Sequence, residues 1–274
     1  MPMKTAANRF SVLSHRATPL AALLLAIALG PGDVSAQDPK KIPPDPEVAE
    51  RVDVLTKVKK DRKFELDAKG VDAIDVLMQK HEKGLNEKDQ KAIVKALDGV
   101  LNKSKVRPPN RAQVYFAAAE ALGRHAAAGA KVLQKTYDGK RLPDKPVWVP
   151  LREKLLLNVG RTRDVKMVKF LLDEARRSPE PALQASAGRA LGFFDEAPEK
   201  VRKDIVGNLL VKLGSLNETA SIIGNNVEAQ NAQDRLAAVS GPWNETLRKL
   251  TRENIDSFRE WQTWHNKNRN KKWK

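Results

Sequence analysis

Apolar residues return every three to four positions through most of this chain, and prolines and glycines break the runs. Val48, Val52, Leu55 and Val58 make one stripe; Val71, Ile74, Leu77, Met78 and His81 make the next. That period belongs to helices with one buried face. Asn86 is placed to cap a further helix reaching Leu101, with Ile93, Val94, Leu97, Val100 and Leu101 inside. Breaks follow at "VRPPNR" (106–111), "DGKRLPDKPVWVP" (138–150) and "RRSPEP" (176–181), where Pro181 suits the first turn of the next helix. Few strand-forming runs interrupt this alternation, so the pattern predicts an all-α fold.

The helical segments also repeat. Gly123, Gly160 and Gly192 stand 37 and 32 residues apart, and aligning on them brings four columns into phase. Nine positions before each glycine are Val114, Leu151 and Leu183. Five before are Ala118, Leu155 and Ala187. Two before are Ala121, Asn158 and Ala190, the asparagine being the polar exception. One before are Leu122, Val159 and Leu191. A second amphipathic segment follows each glycine, and "APEK" (197–200) opens the third with a proline. Weaker traces lie in the helix pair 70–102 and around Leu236, Val239 and Gly241. A helix pair of about 35 residues cannot bury its apolar face alone but can do so against a neighbour. Alanine in the stripe allows close approach. Glycine past the last apolar residue is expected to end the helix in the left-handed conformation.

The segments "YFAAAEALGRHAAAGAKVLQ", "LREKLLLNVGRTRDVKMVKFLL" and "LQASAGRALGFFDEAPEKVRKDIV" resemble the HEAT repeat in its degenerate bacterial form. The resemblance covers 110–213 well and 48–250 loosely. Arg124 and Arg161 after the glycine fit it and Phe193 departs from it. The acidic residue expected to open each second helix is clear at Asp164, arguable at Asp195 and missing in the first copy. The resemblance implies a right-handed α-solenoid of stacked antiparallel helix pairs acting as a binding scaffold. The ending "LRKLTRENIDSFREWQTWHNKNRNKKW" is similar to segments that follow such repeats in secreted bacterial proteins. Phe258, Trp261, Trp264 and His265 share one helical face there and are expected to cap the last repeat.

The N-terminus reads differently. Lys4, Arg9 and Arg16 precede the apolar run 17–30, and small residues surround Ala36. The run is shorter than the roughly 20 residues that span a bilayer. Residues 1–36 therefore predict a cleaved secretory signal and a secreted or periplasmic mature chain with no transmembrane helix. Residues 37–47, with four prolines, predict an extended linker. The repeat domain is placed at 48–250 and the cap with its basic tail at 251–274.

Charge sharpens the picture. The chain carries a net charge of +16 and no cysteine. Residues 37–100 hold 14 charges of each sign, 101–170 hold 16 basic against 5 acidic, and 171–264 hold 12 against 14. The tail 265–274 adds 5 basic residues and no acid. Arg107, Arg111, Arg124, Arg141, Arg161, Arg163 and Lys166 are the candidates for binding an anion or a partner. Equivalent positions of stacked units align, so Arg124 and Arg161 are expected to form a guanidinium column. Catalytic chemistry is not visible. His81, His125 and His265 lie far apart with no metal-ligand spacing, and no G-x-S-x-G or glycine-rich phosphate loop occurs. The expectation is a non-enzymatic scaffold that binds a protein without cofactor or metal. The alternative is binding of an acidic polymer or envelope component through 101–170 and the lysine-rich tail. Nucleic acid is disfavoured because the basic run matches no known nucleic-acid-binding motif and a secreted chain rarely meets it.

Overall fold

Alternation of amphipathic segments with prolines produces eleven α-helices among the described residues of a computed structural model, which are 42–139, 141–143, 145–222 and 227–273. They are α1 (Pro46–Lys60), α2 (Asp67–Glu82), α3 (Glu87–Asp98), α4 (Gln113–Leu122), α5 (Ala126–Asp138), α6 (Val149–Arg161), α7 (Val168–Arg177), α8 (Pro181–Leu191), α9 (Glu199–Ala220), α10 (Val227–Thr251) and α11 (Phe258–Asn268). No strand occurs among these residues, so the chain is all-α. The expected signal 1–36 and linker residues 37–41 lie outside the described residues. No described helix is long and apolar enough to cross a membrane.

Local chemistry sets the boundaries. Asn86 caps α3 by accepting from the Asp89 amide, and Pro181 begins α8. The proline-rich stretch ends two residues earlier than expected: Pro46 is the first residue of α1. Proline fits that position because its missing N–H would be unpaired there anyway, and the Asp45 carboxylate accepts from the Glu47 amide. Gly241 closes no unit; α10 runs through it and through Pro242 to Thr251.

Helices pack in a fixed order. α2 packs on α4, α4 on α6, α6 on α8 and α8 on α10. Beside them α7 packs on α9 and α9 on α11, and α5 meets α7 through the Tyr137 hydroxyl, 2.6 Å from Glu174 Oε2. The repeat columns form the contact. Val114, Ala118, Leu122, Leu155, Val159, Ala187 and Leu191 are completely buried, and Leu151 and Leu183 nearly so.

The three glycines act differently from expectation. Gly123 and Gly192 have φ of −59° and −67°, and Gly160 lies inside α6, so none is left-handed. Their value is the absence of a side chain. A Cβ on Gly123 would stand 2.6 Å from Asn158 Oδ1; on Gly160, 2.3 Å from the Ala190 oxygen; on Gly192, 3.0 Å from Thr246 Oγ1. Each glycine thus receives the next helix in the series. The first two receive the residue two places before the following glycine. Asn158, the polar exception in that column, is fully buried and donates from Nδ2 to the Lys154 carbonyl. The left-handed turn falls three residues past the glycine, at Ala126 (φ 41°) and Arg163 (φ 54°). In the third copy the corresponding residue, Asp195, keeps a right-handed φ of −60°.

The C-terminal segment folds back. Trp261 is fully buried and donates from its indole to Asn244 Oδ1 at 3.1 Å. Trp264 meets Trp261 edge-on, 5.9 Å between centroids, and lies 5.1 Å from Trp273. Phe258 lies half-buried over Gly214 of α9. The basic tail is therefore tied down, with the Trp273 amide on Glu199 and Lys203 Nζ donating to the Lys271 carbonyl.

Candidate interaction surface

The seven candidate basic residues separate by burial. Arg107 is removed from the set. It is fully buried, with Nε 2.8 Å from Asp67 Oδ2 and Nη2 2.6 Å from Asp67 Oδ1. Nη1 donates to Ser104 Oγ, and Nη2 to the Val58 carbonyl. Its guanidinium faces the rings of Phe64 and Tyr115, 5.1 and 5.4 Å from their centroids. This arginine joins the loops after α1 and α3 and cannot meet a ligand. Arg141, half-buried, is spent nearby on the Ser104 carbonyl and the Tyr115 hydroxyl. Arg111 is exposed and donates to the Lys63 carbonyl at 3.4 Å.

Arg124, Arg161 and Arg163 are exposed, but each answers to an acid on a neighbouring helix or loop. Arg124 pairs with Glu82 at the end of α2. Arg161 lies 3.6 Å from Glu120 of α4, beside the closer Lys154 at 2.6 Å. Arg163 reaches Glu196 at 2.9 Å and Asp195 at 3.7 Å. The hydrogen bond from Lys154, with the positive charges of Arg161 and Arg124, holds the Glu120 carboxyl below its usual range. The arginines expected to form a column are thus interleaved with carboxylates and bridge neighbouring helices and loops. Exposed pairs of this kind contribute little stability each, about 0–1 kcal/mol. Lys166 is exposed and has no acidic partner among the described residues.

Two clefts stand out, neither anticipated. One, about 550 Å³, runs between α7 and α9. Val165, Val168, Leu172 and Val201 line it together with Lys169, Arg176, Lys200, Asp173 and Asp204. The other, about 620 Å³, lies where α1 ends and is lined by Lys59, Lys60, Arg62, Lys103, Ser104 and Lys105. The structure also brings together two histidines 44 positions apart. The His81 and His125 rings lie 4.4 Å apart between centroids. Among the described residues no group of three or more His, Asp or Glu side chains is arranged to hold a metal ion.

Comparison with protein-family models, with curated proteins and with solved structures gives no match to this chain.

Proposed function

We propose that this protein is a non-enzymatic, extracytoplasmic binding scaffold: a solenoid of HEAT-like helix pairs that docks another protein. The observation that carries the reading is the serial packing of α2, α4, α6, α8 and α10, with Gly123, Gly160 and Gly192 each receiving the next helix. A stack in which each unit buries its neighbour's apolar face presents long, regular surfaces and suits docking. In this reading α11 and Trp273 cover the last pair as its cap.

The cleft between α7 and α9 is where we place the partner, as a helix with an apolar stripe. Four apolar side chains line it, Val165 among them at 43% exposure, beside charged residues of both signs. Such a groove receives a helix by burial rather than by net charge. Capture from a native envelope extract is expected to survive about 1 M salt, where the screening length falls to about 3 Å. It is expected to disappear in Val165→Glu with Val201→Glu and to persist in Val106→Glu, an exposed valine outside the groove. No capture at high salt, or capture indifferent to the groove variants, would remove this reading.

The second reading, anion binding through 101–170 and the tail, is less well supported. Arg107 and Arg141 are consumed internally, Arg124, Arg161 and Arg163 face carboxylates, and the tail is packed on α9.

A further inference from the structure

Every charged side chain lining the cleft at the end of α1 is a cation. Lys59 and Lys60 come from the last turn of α1, and Arg62 from the loop after it. Lys103 ends a five-residue π-helical turn, Gly99–Lys103, which continues α3, and Lys105 follows. Such π turns are rare and frequently mark functional sites. Five cations and one buried serine line the space, without a carboxylate.

Lysines at helix ends ordinarily offset the helix dipole, roughly half a charge at each C-terminus. Two helical segments end here, so about one positive charge is absorbed in that way. The nearby Asp61 offers one negative charge. Its two oxygens accept from the Lys63 and Leu66 amides at 2.8 Å. About three of the five positive charges stay unbalanced. Like charges held together at such density cost energy unless a ligand neutralises them.

The cleft is also built in advance. Arg107 joins its two walls from beneath through Asp67, Ser104 and the Val58 carbonyl. Lys105 Nζ donates to the Arg62 carbonyl across the opening and lies 5.4 Å from the centre of the Phe64 ring. Phe64 itself is held at a left-handed φ of 63°. Gly99 clears the path of Lys59: a Cβ there would sit 3.2 Å from Lys59 Cδ. The two chain segments that supply the cations therefore cannot simply spread apart.

We infer that this cleft is a binding site for clustered phosphate groups, held by Lys59, Lys60, Arg62, Lys103 and Lys105. Lysines act as point charges suited to phosphate, whereas planar carboxylates favour the fork of arginine. One phosphate would leave charge unspent and the volume partly empty, so the ligand carries two or more. Such groups come from a soluble oligophosphate or from the headgroups of an anionic membrane. Beside the cleft an apolar groove between α1 and α3, lined by Val52, Leu55, Ala92 and Ala96, shares Lys59 and Lys103 with it. A lipid would have that groove available. The inference does not depend on the docking role of the α7–α9 groove.

Calorimetric titration of the protein with tripolyphosphate at physiological salt, beside co-sedimentation with phosphatidylglycerol vesicles, tests this. Lys60→Glu with Lys103→Glu is expected to weaken tripolyphosphate binding on the order of tenfold or more. Lys88→Glu with Lys131→Glu, two exposed lysines that line neither cleft, changes the net charge equally and is expected to leave binding within twofold. Vesicle binding that tripolyphosphate displaces, and that the cleft variant loses, supports the site with lipid as the source. Tripolyphosphate binding without vesicle binding supports it with a soluble source. Absence of tripolyphosphate binding, or equal weakening by both pairs of reversals, would overturn it.

Discussion

Arg107→Ala is expected to destabilise the protein by about 3–5 kcal/mol, measured by urea unfolding at pH 7.5. The arginine is fully buried, and its partner Asp67 keeps only 17% of its side chain exposed. Removing the cation leaves Asp67 without its two-pronged partner, and leaves the Ser104 hydroxyl and the Val58 carbonyl only their longer bonds, from Arg141 Nη2 at 3.4 Å and from the Asp61 amide at 3.3 Å. The Asp67 position in the first turn of α2 recovers a fraction of this, since a helix N-terminus favours a carboxylate. The cost of a half-buried, unpaired charge is larger. Lysine is no substitute: Arg107 uses Nε, Nη1 and Nη2 in separate directions, which an ammonium on a single stem cannot reproduce. A loss below about 1 kcal/mol would show that this ion pair is peripheral to the fold.

Acidification is expected to weaken the fold through His125. Its ring is buried, its Nε2 has no hydrogen-bond partner among the described residues, and His81 lies against it. Burial first, and then the charge of His81, pushes its pKa down to about 4. The groups around the pair are Arg124, whose carbonyl accepts from His81 Nε2 at 3.1 Å, and Glu82, which pairs with the Arg124 side chain. The unfolded chain binds a proton on this histidine near pH 6.5, whereas the folded chain resists it until about pH 4. Between those values the unfolded state holds more protons. Stability is therefore full above about pH 6.5 and is lost as pH falls towards 4. The shift corresponds to about 3 kcal/mol. In unfolding titrations from pH 7.5 to 4, His125→Phe should lose less stability than the parent by about that amount. Identical slopes for the two proteins would rule out His125 as the cause.

Much of the fold follows from periodicity, because helix packing leaves its mark at every third or fourth residue. The columns around Gly123, Gly160 and Gly192 are buried as their spacing implies. The glycines mislead only in mechanism. A glycine that ends a helix and one that admits a neighbouring helix stand at the same place in a sequence, and only the position of Asn158, Ala190 or Thr246 separates the two roles. The surface chemistry was far less evident. Residues 37–100 are neutral in sum, with 14 charges of each sign, and that balance masks Lys59, Lys60 and Arg62. Those residues acquire meaning only when the turn after α3 brings Lys103 and Lys105 beside them. Conversely, Arg107 counted as surface charge although its partner Asp67 lies 40 positions earlier and buries it. Long-range pairing of this kind has no period and cannot be read from one chain.

The ordered stacking of α2, α4, α6, α8 and α10 is tested most directly by oxidative cross-linking. The protein has no cysteine, so any disulfide must come from introduced residues. A Cβ at position 192 would lie 3.6 Å from Thr246 Cβ, inside the roughly 3.5–4.5 Å range that a disulfide accepts. Under mild oxidation Gly192→Cys with Thr246→Cys should close an intramolecular disulfide, seen by mass spectrometry, while Gly123→Cys with Thr246→Cys should keep both thiols free. Free thiols in the first pair, or equal cross-linking in both, would contradict the stack.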